Sequence, residues 1–177
     1  GNVLWQNFSR DSWVLATKAG EEFVNNKSYF DFSRQAIIAS VERSLQRLKT
    51  DYLDVVLIHS NGDDLELIEN FAVLETLADL KKQGKLLSYG MSTKTIAGGL
   101  AAVQYSDIAM ISFNLQHQQE LPVLKMAHKL GKSIFIKKAL NSGHIINTAD
   151  SLQLVATQPA VTSIIIGTIN TEHLIEN

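Results

Sequence analysis

Leu53-Asp54-Val55-Val56-Leu57-Ile58-His59 is the stretch on which the fold turns. Its apolar residues are Val, Leu and Ile, and they hardly alternate with polar ones. That pattern belongs to a parallel strand covered on both faces. The stretch ends on a histidine, and the polar loop Ser60-Asn61-Gly62-Asp63-Asp64 follows. An earlier run, Trp13-Val14-Leu15-Ala16-Thr17, ends in the same way on Lys18. In an α/β barrel the C-terminal ends of the strands form the rim where chemistry is done. A lysine and a histidine closing successive strands therefore point at one site.

Further apolar runs lie at 87–91, 108–113, 133–136 and 162–166. Between the runs lie amphipathic segments. Residues 34–48 place Ile37, Ile38, Val41, Leu45 and Leu48 on one stripe, with Ser33 as the N-cap. The pattern predicts one helix over 65–83, with Leu67, Phe71, Leu74 and Leu77 on its buried face and Gly84 ending it. Shorter helices are expected over 97–104, 122–130 and 151–155, and another from Thr171. Strand and helix thus alternate about six times, which means a parallel sheet, either doubly wound or closed. Thr17-Lys18-Ala19-Gly20 after the first run is neither a dinucleotide fingerprint nor a phosphate loop. That disfavours the doubly wound form. A (β/α)₈ TIM barrel takes about 250 residues, so six of its eight units would take roughly 190. The 177 residues fit a barrel domain lacking two units, which would leave two open sheet edges.

The composition is that of an ordinary globular chain, 45% hydrophobic and 19% charged. A net charge of −2 gives no reason to expect nucleic acid or an anionic membrane as partner. No apolar run reaches the length of a membrane span. The absence of cysteine excludes disulfides and thiolate chemistry, and suits a cytoplasmic setting.

Several residues carry candidate chemistry. Lys18 is a cation able to depress the pKa of a neighbouring acid, or else a solvated lysine where a strand emerges. His59 can donate to a substrate oxygen or shuttle a proton, or can be satisfied by backbone at a strand end. Tyr89-Gly90-Met91-Ser92-Thr93-Lys94-Thr95 brings hydroxyls that can hold an amide or a phosphate, or simply cap a turn. Lys137 and Lys138 end the fifth run. They could balance a phosphate charge or be a solvated exit. Gly167-Thr168, followed by a helix start at Asn170-Thr171, sits where barrels commonly bind phosphate. His117, His128 and His144 show no spacing that suggests a metal site, and none is expected.

Taken together, the chain resembles an aldo-keto reductase. The matching stretches are Val14-Leu15-Ala16-Thr17-Lys18, the run from Asp51 to His59, the run from Leu77 to Lys85, Tyr89-Gly90-Met91-Ser92, and Ile166-Gly167-Thr168 through Leu174-Ile175-Glu176-Asn177. They occur in order over nearly the whole chain. The resemblance implies a (β/α)₈ barrel of which the chain spans about the third strand to the eighth, with the first two βα units missing. It implies a cytoplasmic oxidoreductase that reduces small aldehydes and ketones with NADPH, less often NADH.

In that family hydride passes from the nicotinamide to the carbonyl carbon and a tyrosine gives the proton. Lys18 matches the lysine that lowers the tyrosine pKa, and His59 the histidine that orients the carbonyl. The partnering aspartate and the tyrosine itself are expected upstream of Gly1. Ser92 matches the serine near the nicotinamide carboxamide. Thr93 sits where asparagine is common. Met110 occupies the usual glutamine position, and Lys137 the position of a stacking tyrosine. Gly167 and Thr168 match the adenosine-phosphate loop. His173 falls where an arginine often grips the 2′-phosphate, and Glu176 and Asn177 match the pair near the adenine. The departures at Met110, Lys137 and His173 keep open a non-catalytic, nucleotide-binding member. An isomerase or aldolase using Lys18 or Lys137 as a Schiff-base lysine is a further alternative.

Overall fold

The structure is a computed structural model and describes residues 6–176. A 3₁₀ turn (Arg10–Ser12) leads into β1 (Ala16–Ala19), then β2 (Glu21–Val24), β3 (Lys27–Phe30) and α1 (Arg34–Leu48). Next come β4 (Leu53–His59), α2 (Asp64–Glu69), α3 (Val73–Lys82), β5 (Leu86–Ser92) and α4 (Ile96–Tyr105). The chain continues with β6 (Ile108–Ser112), α5 (Leu121–Leu130), β7 (Ser133–Lys137), a 3₁₀ turn (Asn141–Gly143), α6 (Thr148–Ala156), β8 (Val161–Ile164) and α7 (Thr171–Glu176). Among the described residues no helix is long and apolar enough to cross a membrane.

Six strands form one parallel sheet in the order β1-β4-β5-β6-β7-β8. Side chains alternate across it, and the two faces meet different partners. Val56, Ile58, Met91, Ala109, Ile111, Ile134 and Ile136 join the layer that the helices cover. Val55, Leu57, Ile108, Met110 and Phe135 form a separate apolar cluster on the other face. Both faces of the central strands are therefore buried, which is why their sequences read as continuous apolar runs.

The β1–β4 pair is fixed at its foot by Arg10. Its guanidinium lies 4.5 Å from the Trp13 ring centroid and 4.0 Å from that of Tyr52. It also donates to Asp54 Oδ2, which accepts the Leu15 N–H at 2.8 Å. A half-buried cation between two aromatic faces is a strong local anchor.

The sequence pattern and the structure differ at two elements. Residues 65–83 form two helices, α2 and α3, rather than one. Both the Asn70 and Phe71 amides turn back to the Glu66 carbonyl, and Ala72 takes a left-handed φ of 49°. Phe71 leaves the buried stripe, is 45% exposed, and meets Phe32 edge-on at 6.4 Å. The second difference is the antiparallel hairpin of β2 and β3, inserted between β1 and α1. Asn25 and Asn26 turn it with φ of 51° and 61°. Two successive positive φ values are the turn that matches the twist of a two-residue hairpin, and asparagine tolerates them.

Candidate active site

Lys18, His59, Ser92, Ser112 and Lys137 stand at or near the C-terminal ends of β1, β4, β5, β6 and β7. The register puts them on one face. Lys18 lies opposite Leu57, two residues below His59 on the same side of β4; His59 lies opposite Ser92, and Ser112 opposite Lys137. This is the face lined lower down by the Val55, Leu57, Ile108, Met110 and Phe135 cluster. Rows of polar groups thus sit on an apolar floor.

His59 is partly exposed, and its Nδ1 pairs with a carboxylate oxygen of Glu21 on the hairpin. Partial burial pulls the imidazole pKa below its ordinary value. Lys18 and Lys137 push it the same way, while Glu21 pulls it back up. Glu21 is held below the usual glutamate range, chiefly by a hydrogen bond with the Ser28 side chain across the hairpin.

Lys137 Nζ donates to Ser92 Oγ at 3.0 Å and to the Thr93 carbonyl at 2.7 Å. Burial, then the neighbouring charges of Lys18 and Lys138, bring its pKa down to about 8. Glu120 is buried to 9% exposure, and desolvation raises its carboxyl pKa. Asp64, 1% exposed, accepts the Lys94 and Thr95 amides and the Thr95 hydroxyl. It thereby ties the start of α2 to the start of α4. Its carboxylate presses on Gly98, where an added Cβ would lie 2.2 Å from the Asp64 Cβ.

Two cavities open along this rim. One of about 600 Å³ is lined by His59, Thr93, Asn114, Glu120, Lys137 and Lys138 among others. The second, of about 520 Å³, is lined by Lys138, Ser142, Gly167, Thr168 and His173 among others. Lys138 borders both. It has a left-handed φ of 56°, and its carbonyl accepts from Asn114 Nδ2 at 2.8 Å.

Of the residues singled out from sequence, His59, Thr93 and Lys137 share the first cavity, and Gly167, Thr168 and His173 share the second. Ser92 is 1% exposed and reaches the first cavity through Lys137. Lys18 is exposed on the edge strand and lines neither cavity, though its charge is felt by His59 and Lys137. The Glu176 side chain and Asn177 lie outside the described residues. Among the described residues no cluster of His, Asp or Glu could hold a metal.

Sequence reasoning missed Glu21, Glu120 and Asn114. Glu21 becomes visible once Asn25-Asn26 is recognised as a hairpin turn that folds the strand back toward the rim. Glu120 and Asn114 carry no local signal, because only the packing of α4, α5 and β7 brings them to the cavity.

The donor set bears on a nicotinamide dinucleotide at three points. Thr93 Oγ1 is buried and without a hydrogen-bond partner in the wall of the first cavity, which suits an amide. Lys138 brings an ammonium and His173 an imidazole able to hydrogen-bond to the second cavity, groups that suit a phosphate. Met110 offers only apolar surface, in the cluster with Phe135.

Residues 1–152 match the model of the aldo/keto reductase family. The chain belongs to that family, and its six parallel strands with intervening helices are part of the family's (β/α)₈ barrel. The fold superposes on PA4992 of Pseudomonas aeruginosa, a structure assigned to the aldo-keto reductases. The TM-score is 0.92 at 45% identity, over all of this chain and 68% of that one. Among curated proteins, the chain is 27% identical to the uncharacterized oxidoreductase YqkF of Bacillus subtilis, over 95% of this chain and 68% of that protein. It is 35% identical to the aldo-keto reductase YhdN of the same organism, over 54% of this chain and 28% of that protein. The chain thus spans only part of the length of these relatives.

Proposed function

We propose that this chain forms the greater part of an NAD(P)H-dependent barrel that reduces small aldehydes or ketones to alcohols in the cytoplasm. One observation carries the reading. Lys18 and His59 end adjacent strands on one face, within electrostatic reach of each other, beside a cavity whose wall holds Thr93 and Lys137. Residues 1–177 would belong to one barrel domain, of which they form a part.

In this reading Thr93, with Ser92 behind it, holds the carboxamide end of the dinucleotide. Gly167, Thr168, His173 and Lys138 hold its phosphates, and Glu176 and Asn177 follow toward the adenine. When bound, the reduced nicotinamide supplies the hydride. The protein's own work is to orient the carbonyl and deliver a proton. Lys18 presents an ammonium that stabilises the conjugate base of a neighbouring acid, so that acid gives up its proton more readily. His59 orients the carbonyl oxygen. With Glu21 ionised, Nδ1 must carry the hydrogen of that pair, so Nε2 donates only when the ring is an imidazolium. Glu21 favours that form.

Met110 and Lys137 support a second reading, a family member that binds nucleotide without turnover. They replace an amide and an aromatic ring by an apolar side chain and a cation. One experiment separates the two. NADPH oxidation by the full-length protein is followed against a panel of aldehydes and ketones, beside NADPH affinity by fluorescence. Turnover supports the reductase. Binding without turnover of any carbonyl selects the second reading, and the absence of both overturns the two together.

A further inference from the structure

We propose that Lys137 is a nucleophilic amine that condenses reversibly with carbonyl compounds entering the 600 Å³ cavity, forming an imine at its Nζ. This goes beyond the reductase reading and does not depend on a cofactor.

Lys137 ends β7 with its side chain in the cavity wall, beside His59 and Thr93. Its Nζ has two acceptors, Ser92 Oγ at 3.0 Å and the Thr93 carbonyl at 2.7 Å. A neutral amine has two N–H bonds and one lone pair. Two acceptors therefore satisfy both hydrogens and leave the lone pair as the remaining valence. Lys137 is half-buried, and neither hydrogen-bond acceptor of its Nζ is a carboxylate. Among the described residues the ion pairs do not include Lys137.

The surrounding charges favour the neutral amine on balance. Lys18 across the rim and Lys138 next in sequence oppose a third cation. Glu120 and Asp64 attract one more weakly, and His59 faces the same cavity. A desolvated lysine beside other cations is the arrangement that activates amines toward carbonyls. With a pKa of about 8, about one amine in five is unprotonated near pH 7.4, against about one in a thousand for an ordinary lysine.

The step balances without an oxidant or reductant. The lone pair attacks the carbonyl carbon, a C–N bond forms, and the oxygen takes a proton to give a carbinolamine. Loss of that oxygen as water, with a nitrogen proton, gives the C=N bond. His59, in the wall of the same cavity, can give the proton to the departing oxygen in its imidazolium form.

The test uses the full-length protein without cofactor, with propionaldehyde as the probe and cyanoborohydride to trap the imine. Digestion and mass spectrometry then report labelling at each lysine. Lys137 should be labelled about tenfold faster than Lys27 and Lys49 at about pH 7.4, a part of the roughly two-hundredfold excess of free amine. Its rate should level off above about pH 8 while theirs keep rising. Lys137→Arg should abolish labelling of that peptide and spare the others. Labelling of Lys137 at or below the rate of the exposed lysines overturns the proposal, whether the cause is protonation or lack of access. Repeating the labelling with NADP⁺ tests the cofactor reading separately. Protection supports cofactor binding there, and unchanged labelling counts against it while leaving the amine chemistry standing.

Discussion

Glu21 on the hairpin and His59 at the end of β4 are joined through a carboxylate–Nδ1 contact, so the orientation of the imidazole depends on an element outside the barrel sheet. The hairpin is held from its other face by the Glu22–Arg43 pair, which fastens it to α1. Glu21 therefore reaches the histidine from an arm fixed at two points.

Replacing Glu21 by Gln should lower the pH at which His59 loses its proton, because the carboxylate is the charge that supports the imidazolium. If the imidazolium donates to the carbonyl, the kcat profile of Glu21→Gln should fall at lower pH than that of the parent. The rate at neutral pH should drop by about threefold to tenfold. NMR titration of the His59 ring checks the pKa directly. An unmoved titration would remove Glu21 from this role.

Lys18→Met in the full-length protein should reduce carbonyl reduction by about a hundredfold or more, while NADPH affinity stays within about twofold. Lys18 lines neither cavity, so its loss leaves the residues assigned to the cofactor in place. Steady-state kinetics and fluorescence titration measure the two quantities. Parent-like turnover would end the assignment.

Glu120 is buried with its carboxyl pKa raised by desolvation. Its protonated form stabilises the fold fully below the unfolded pKa, and that contribution is lost as pH rises through the folded value. Glu120→Gln keeps the shape and removes the ionisation. The variant should melt above the parent at pH 8, with the difference shrinking toward pH 4. Thermal melts at the two pH values decide it.

Gly90 in β5 passes so close to β6 that a Cβ there would lie 1.6 Å from the Ile108 carbonyl oxygen. Backbone cannot yield as a flexible side chain does. Gly90→Ala should cost about 3 kcal/mol or more of stability, or prevent folding. Denaturant unfolding measures the loss, and a change below about 1 kcal/mol would contradict the packing described.

His173 lines the second cavity with Gly167, Thr168 and Lys138. A guanidinium is permanently charged and binds phosphate in a two-pronged manner. His173→Arg should tighten NADPH binding by about tenfold and leave NADH little changed. Equal tightening of both would place the residue away from the 2′-phosphate.

The strand order and the rim were legible because parallel strands buried on both faces leave unbroken apolar runs ending in polar residues, as at His59 and Lys137. Helix α1 was legible from its stripe and its Ser33 cap, which accepts from the Ala36 amide. The break between α2 and α3 was not, because Phe71 sits at a helical interval and only the nearby Phe32 ring explains its departure. The hairpin escaped notice because its strands are short, largely exposed and charged. Glu120 and Asn114 were hidden for a different reason. Their place at the cavity is set by contacts between distant segments, and distance along the chain carries no trace of it.

Lys138 belongs to the walls of both cavities and holds a left-handed turn between them. The two compartments therefore share one backbone pivot, anchored by Asn114. A long ligand occupying both must cross that residue. Its two halves then lie in compartments that meet at a single peptide unit.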